Sequence, residues 1–406
     1  MIKRDLYAIA FSETWGRQMR FITGPRQCGK TTLAKAKLAE AGDSKLYYLW
    51  DLRDVRNRYK ANQLFFTQDC PPGKQKHWVC FDELHKIPKW KNGLKGIFDE
   101  SFEHYQFIIT GSAKFDIFRK AGDSLAGRFL TFNLFPLSLS EVLQQNKKNA
   151  QENISAQTWI HQIMQNSSSK HAEETIEHLL MFGGFPEPFL KQSKNFHTKW
   201  AESYTDTVIK EDIGELTKII DREHLYDLYH LLPEMVGSPL SESSLSAHLE
   251  TSNPTVKNHV KRLEDFYLIF KIHPYSKNIK RALLKAPKAY LYDWSQIKDP
   301  AKRFENYVAM EIYSHCYAWM NATGRHYDLF YLRNKEKEET DFLILKDKTP
   351  WLMIEAKLSD GTVASHHKKI QAMLNDIPLV QICRQDGICQ MEEKNVYRIS
   401  ASRFFA

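Results

Sequence analysis

Short apolar runs of strand length alternate with polar or helix-forming stretches through the first third of the chain. The runs are Met19–Thr23, Leu46–Trp50, Trp78–Phe81, Gln106–Thr110 and Phe129–Asn133, the alternation of an α/β domain with a parallel sheet. After Pro136 the strands stop. Residues Asn146 to Ser169 are rich in Asn, Gln and Ser and read as a surface insertion or linker. A helical region is expected from about His171 to about Tyr229, broken at Gly183-Gly184-Phe185-Pro186, where Gly and Pro together enforce a turn.

The later pattern changes twice. Ser241–Glu250 and Asn253–Leu263 read as two short helices, with Ser252 as N-cap and Pro254 tolerated in the first turn. Val256, Val260 and Leu263 give the second helix one core face, so Lys257, Asn258, Lys261 and Arg262 face elsewhere and can meet phosphates or base edges. Phe266–Phe270 is the expected strand of a winged helix. The other use of such a unit is to pack domains together. From Arg303 to Ala406 a helix is followed by strands at Asp341–Leu345 and Leu352–Lys357.

Composition narrows the classes. At 406 residues two or three domains are expected. No segment approaches the roughly 20 unbroken apolar residues of a membrane span, and the start lacks a secretory apolar run, so no membrane partner and a cytoplasmic location are expected. The cysteines, Cys28, Cys70, Cys80, Cys316, Cys383 and Cys389, lack zinc-ligand spacing and read as reduced, structural thiols. A net charge of +8 permits a nucleic-acid partner without requiring one. Lys277, Lys280, Arg281, Lys285 and Lys288 form a basic cluster, read as a solvated loop or helix face.

Candidate chemistry begins at Gly24-Pro25-Arg26-Gln27-Cys28-Gly29-Lys30-Thr31, which fits G-x-x-x-x-G-K-[ST] between an apolar strand and the helix-forming stretch from Thr32. Gly24 and Gly29 let backbone N–H groups turn toward phosphate oxygens. Lys30 is expected to reach the β- and γ-phosphates of ATP, and the Thr31 hydroxyl to ligate Mg2+. A second apolar strand ends in Asp82-Glu83. Asp82 suits the magnesium, and Glu83 suits the water that attacks the γ-phosphate. Ser112, after the strand ending at Thr110, can hold that water. Arg128 can stabilise charge on the γ-phosphate in its own subunit or a neighbour's, the alternative being a surface arginine. A small-molecule kinase also uses a P-loop, but the Asp82-Glu83 pair and the long C-terminal extension argue against one.

These motifs, with Asp82-Glu83-Leu84-His85-Lys86, Thr110-Gly111-Ser112-Ala113, Ala126-Gly127-Arg128 and Phe135-Pro136-Leu137-Ser138, resemble the successive signatures of the bacterial and archaeal AAA-type (AAA+) ATPases. Members of that group carry a C-terminal domain of unknown function with a nuclease-like fold. The resemblance implies an AAA sheet with the acidic strand beside the P-loop strand, and Ser112 stands where many AAA proteins use Asn.

In the C-terminal part, Glu355 and Lys357 share one face of their strand by the two-residue period, and Asp341 leads the neighbouring strand. Glu305 falls within the apolar helix face of Phe304, Val308, Ala309 and Ile312, where a carboxylate is costly unless paired or bound to a cation. Together Glu305, Asp341, Glu355 and Lys357 resemble the PD-(D/E)XK nuclease site. By that resemblance Asp341 and Glu355 ligate magnesium and Lys357 orients the attacking water.

The expected fold class is thus α/β, a P-loop NTPase with an AAA+-type parallel sheet, then a helical and winged-helix region, then an α/β nuclease-like domain. The expected domains are 1–140, ATPase; 141–225, linker and helical region; 226–275, winged-helix-like; and 276–406, nuclease-like. The expected function is Mg2+-dependent ATP hydrolysis that regulates nucleic-acid binding or processing. Expected partners are ATP, DNA, and a homo-oligomer or another protein. The alternative is an ATP-dependent switch whose nuclease-like domain is inert.

Overall fold

The computed structural model describes residues 2–84, 90–112, 125–144, 154–165, 170–214, 222–276, 286–334 and 336–406. They fall into two compact units. The first comprises residues 3–135 with 265–267, the second residue 2, 136–264 and 268–406.

Every expected strand of the first unit forms: β1 (Met19–Thr23), β2 (Tyr47–Leu49), β3 (His77–Asp82), β4 (Tyr105–Gly111) and β5 (Phe129–Asn133). All pairs are parallel, in the order β2-β3-β4-β1-β5. One expectation is corrected by this order. The acidic strand β3 is not beside the P-loop strand β1, because β4 pairs with both and stands between them. The strands read as continuous apolar runs because helices cover both faces. Phe21, Val79, Phe81, Phe107 and Ile109 pack with Trp90, Leu94, Ile97 and Phe98 of the helix Trp90–Ser101. The helix Lys30–Glu40 buries Leu33, Ala34 and Leu38 and lies against β3 and β4. Arg20, within β1 and 1% exposed, donates to the carbonyls of Ala10, Gly16 and Gln18. Those bonds offset the cost of burying a cation.

The second unit opens with helices. Lys170–Phe182, Pro186–Lys191, Lys194–Asp206 and Arg222–Met235 occupy the stretch where a helical region is expected. The Gly183-Gly184-Phe185-Pro186 break is a turn, and the structure gives the glycines a packing reason. Gly183 has φ +72°, and a Cβ on Gly184 would stand 2.6 Å from the Trp294 ring and 3.0 Å from the Leu137 carbonyl oxygen. The Leu137 N–H donates to the Gly184 carbonyl at 2.7 Å, so backbone and indole close on this turn together.

The two short helices follow as Glu242–His248 and Asn253–Asp265. Ser252 Oγ accepts the Thr255 N–H at 3.3 Å, the expected cap. Val256, Val260 and Leu263 are buried, and Lys257, Asn258 and Lys261 are exposed. The next strand begins later than expected: β6 is Ile269–Pro274, and Phe266 to Leu268 lie outside it. It pairs antiparallel with β7 (Lys288–Leu291).

The sheet of this unit also contains β8 (Tyr327–Arg333), β9 (Glu339–Lys346), β10 (Thr349–Lys357), β11 (Leu379–Cys383), β12 (Cys389–Glu393) and β13 (Val396–Ser400). Its order is β12-β13-β11-β10-β9-β8-β6-β7. Strands β8, β9 and β10 form an antiparallel meander, and β10 then pairs parallel with β11. The expected domain boundary between 275 and 276 lies between the paired strands β6 and β7. The long helix Pro300–Thr323 starts at Asp299, whose carboxylate accepts the N–H groups of Ala301 and Lys302, and stops at Gly324, φ +69°. Its Ile312 and Trp319 line a small cavity with Ile344 and Ile354 on one sheet face. On the other face Leu343, Leu345 and Met353 pack with Ile370 of the helix Ser365–Met373. Covered on both sides, β10 is buried from Leu352 through Glu355, so the two-residue alternation of a half-exposed strand is blurred. Among the described residues no helix is long and apolar enough to cross a membrane.

Candidate functional site

The loop from β1 into the helix Lys30–Glu40 is shaped by its glycines. Gly24 has φ +147°, and a Cβ there would lie 2.1 Å from the Leu134 carbonyl oxygen, which no flexible side chain can relieve. Gly29 precedes the helix at φ +103°, and Gln27 adopts φ +60°. Lys30 is buried, and its ammonium donates to the carbonyls of Gly24 at 2.9 Å and Pro25 at 2.7 Å. Arg26 is half-buried, and Gln27 is exposed. Cys28 is fully buried with its thiol 3.5 Å from the Leu134 carbonyl, and burial pushes its pKa up. Arg4, which carried no sequence signal, braces the loop by donating to Cys28 O at 2.8 Å and to Phe135 O at 2.6 Å.

At the end of β3 the structure brings the expected residues to this loop. Thr31 Oγ1 donates to Asp82 Oδ2 at 2.8 Å. Thr110, from β4, donates to the other oxygen of Asp82, and the Tyr47 hydroxyl donates to Oδ2. Neither Tyr47 nor Thr110 was expected to serve the carboxylate; for Thr110 the signal was its place just before Gly111-Ser112. Glu83 leaves β3 at φ +59°, a left-handed conformation costly for a residue with a Cβ. Ser112 Oγ donates to Glu83 Oε2 at 3.2 Å. Strand β4 and the residue after it thus supply a hydroxyl to each member of the acidic pair, which follows from the position of β4 between β3 and β1. The donor set of Thr31 and Asp82 is all oxygen, the preference of a hard cation such as Mg2+.

Arg128 lies elsewhere. Its guanidinium donates to Asp99 Oδ1 at 2.7 Å and Oδ2 at 3.0 Å on the exposed surface. Residues His85, Lys86 and Ala113 lie outside the described residues. Among the described residues, Asp43, Cys70 and His77 bring one ligand atom each within 4.8 Å of one another. Both Asp43 oxygens are engaged, with His77 Nδ1 at 2.7 Å and the Trp78 N–H at 2.7 Å, which makes this a structural tie at the start of β3.

In the second unit Asp341 and Glu355 face each other across β9 and β10. Asp341 Oδ2 accepts the Ala356 N–H at 3.0 Å, and Glu355 Oε2 accepts the Asp341 N–H at 3.2 Å. Lys357 Nζ reaches Glu355 Oε1 at 2.7 Å, and His367 Nε2 lies 3.6 Å from the same oxygen. Glu305 accepts the Tyr290 hydroxyl at 2.8 Å. A Cβ on Gly237 would stand 2.6 Å from its carboxylate, so that glycine closes over it. One expectation is corrected here. Lys288, read from sequence as part of a solvated basic cluster, is 1% exposed and points into the acids, with Nζ 3.0 Å from Glu339, 3.8 Å from Glu305 and 3.9 Å from Asp341. The other members of that cluster, Lys277, Lys280, Arg281 and Lys285, lie outside the described residues.

The protonation of these groups follows from burial. Burial first, and the neighbouring Asp341 second, push Glu305 up from 4.5 to about 7. Burial and Glu355 push Asp341 up from 3.8 to about 7, and burial raises Glu355 too. For Lys288, burial alone would lower the pKa, but Glu305, Asp341 and Glu339 outweigh it and the net shift is upward. Burial first, then the neighbouring His366 and Lys357, hold His367 down at about 3, so it is neutral.

Comparison with known proteins gives three matched spans. Residues 16–143 match the family described as AAA domain. Residues 173–297 and 302–403 match two domains of unknown function, DUF8612 and DUF4143. An uncharacterized protein of Mycobacterium tuberculosis is 24% identical over 272 residues, 67% of this chain and 53% of that protein. One of Methanocaldococcus jannaschii is 24% identical over 310 residues, 74% of this chain and 65% of its own, and one of Haemophilus influenzae 23% over 340 residues, 77% and 78%. The chain spans about half the length of the mycobacterial relatives it matches. Among solved structures, Caenorhabditis elegans PCH-2 aligns at 14% identity over 50% of this chain and 67% of its own, with a TM-score of 0.25.

Proposed function

We propose that the first unit binds ATP with magnesium and hydrolyses it. Lys30 is the phosphate-binding cation, Gly24 to Thr32 the phosphate cradle, and Thr31 with Asp82 the magnesium site. Glu83 polarises the attacking water and Ser112 holds Glu83 and that water in register. The observation that carries this reading is the Thr31–Asp82 hydrogen bond at 2.8 Å, which joins the P-loop to the acidic strand across an intervening strand. Arg128, engaged with Asp99 on the surface, is assigned no part in its own nucleotide site; in this reading it serves a neighbouring copy's γ-phosphate. The test is ATP turnover beside nucleotide binding. Lys30→Ala is expected to lose binding. Glu83→Gln is expected to keep binding and lose turnover by about 100-fold or more. Equal turnover in wild type and Glu83→Gln would sink the assignment, and turnover only after a small acceptor is added would revive a kinase.

A second reading concerns the C-terminal cluster, favoured by the convergence of Glu305, Asp341, Glu355 and Lys357 within one sheet–helix layer. In it, the chain of helix, three-strand meander, helix and parallel strand is a PD-(D/E)XK nuclease-like fold, and Asp341 and Glu355, with oxygens only, suit magnesium. Lys357 orients water at a scissile phosphate. The helix Asn253–Asp265 with the β6–β7 hairpin is read as a winged helix that brings DNA. Mg2+-dependent cutting of plasmid or linear DNA, lost in Lys357→Ala, supports it. Equal inertness of both proteins leaves the ATP-dependent switch with a binding module. ATP turnover measured with and without DNA tests whether the two chemistries are linked.

A further inference from the structure

Lys288 is anchored where few lysines are. Its backbone is held in β7, with Ile272 of β6 as its register partner and a bridge to Pro239. Its ammonium is therefore fixed by the sheet, unlike Lys357, whose side chain is half-exposed and hangs from a strand end. The side chain is 2% exposed and crosses 5.2 Å from the Tyr331 ring to sit among Glu339, Glu305 and Asp341. Glu339, the nearest of the three, also meets Arg333 at 2.9 Å through its other oxygen, so Lys288 shares that acid with a second cation and answers the charge of Glu305 and Asp341 as well. A buried cation at this spacing does the electrostatic work of a metal ion: it neutralises carboxylates that would otherwise repel each other.

The carboxylates are also spread around it. Glu305 and Asp341 are bridged by Nζ, and a divalent ion between them would face a fixed like charge at about contact distance. The Asp341–Glu355 side is different. Its acids are tied to each other's strands through backbone N–H groups, and the neighbouring cation, Lys357, can swing aside.

We propose that Lys288 is a tethered cation that takes the place of a second divalent ion between Glu305 and Asp341, so that the cluster holds one ion, on the Asp341–Glu355 side. The inference rests on reading the cluster as a magnesium site. Glu305 is then a partner of Lys288 and not a metal ligand. An ion there would be held by Asp341 and Glu355 and would supply Lewis-acid chemistry at a phosphate, with Lys357 placed to orient the water.

The experiment is Mn2+ binding, read by calorimetry and by electron paramagnetic resonance, on the full chain without nucleotide, where the P-loop has no phosphates to hold an ion. Wild type is expected to bind one Mn2+, lost in Glu355→Gln. Lys288→Met is expected to bind two, and its thermal midpoint, lowered in chelator, is expected to recover with Mn2+ as the ion replaces the ammonium. Where Lys288→Met does not fold, Glu305→Gln reads the same point. Its Mn2+ stoichiometry and affinity should stay within about twofold of wild type, since Glu305 faces Lys288 and not the metal. Two ions in wild type, or loss of Mn2+ in Glu305→Gln, would overturn the assignment of Lys288 and leave the magnesium reading standing. No Mn2+ in wild type or in Lys288→Met would remove the magnesium reading itself.

Discussion

At the scale of single residues, the P-loop depends on one position more than its motif implies. Gly24 is needed twice over, by its φ of +147° and by the Leu134 carbonyl 2.1 Å from where a Cβ would sit. Gly24→Ala is therefore expected to destabilise the first unit by on the order of 1–3 kcal/mol and to weaken nucleotide binding, read by denaturant titration and by fluorescent-nucleotide binding. Wild-type behaviour in both would mean that the loop relaxes around the methyl group. The residues proposed for chemistry at this site were legible because phosphate binding would fix their types and spacing: Lys30, Thr31, Asp82 and Ser112 lie at or beside the loop that the motifs mark. Tyr47 and Arg4 were not legible. Each serves the site through a long side chain from a distant element, and nothing local in sequence marks such a reach. Lys288 misled for the opposite reason, since a lysine near other lysines looks solvated until three carboxylates are found around it.

At the scale of elements, strand lengths and helix caps were readable, and pairing partners were not. The five runs of the first third become β1 to β5 because each is mainly apolar, as a sheet covered on both faces requires, with the edge strand β5 the least buried. Their order is long-range information, and the insertion of β4 beside the P-loop strand could not be read from any one run. Strand β11, buried at all five positions, carried no clear alternation for the same reason that β10 lost it, whereas the edge strand β12 is largely exposed. The helix Asn253–Asp265 presents Lys257 and Lys261 to solvent on the side away from its core face. If that helix meets DNA, Lys257→Glu with Lys261→Glu should lower DNA affinity. The slope of log affinity against log salt should also shrink by about 1 for each phosphate that is no longer neutralised. An unchanged slope assigns the helix to domain packing alone.

At the scale of the whole molecule, the carboxylate cluster makes stability depend on pH in a direction opposite to that of ordinary surface acids. Glu305 and Asp341 rise from 4.5 and 3.8 to about 7 each on folding, so the folded chain holds more protons than the unfolded chain between those values. Unfolding then releases protons, and the cluster's contribution to stability falls as pH climbs from about 4 through about 7. Thermal midpoints in chelator should show this fall, and Glu305→Gln should flatten it. A profile with the same slope in the variant would place the protons elsewhere.

The burial of Cys28 has a kinetic consequence. With this residue 0% exposed and its thiol pKa raised, alkylation can proceed only during moments when the loop has come apart. Cys70 and Cys389, which are half-buried, are expected to react faster. The rate at which a maleimide appears on the peptide carrying residue 28 is therefore a clock for opening of this loop, and ATP, if bound there as proposed, should slow that clock.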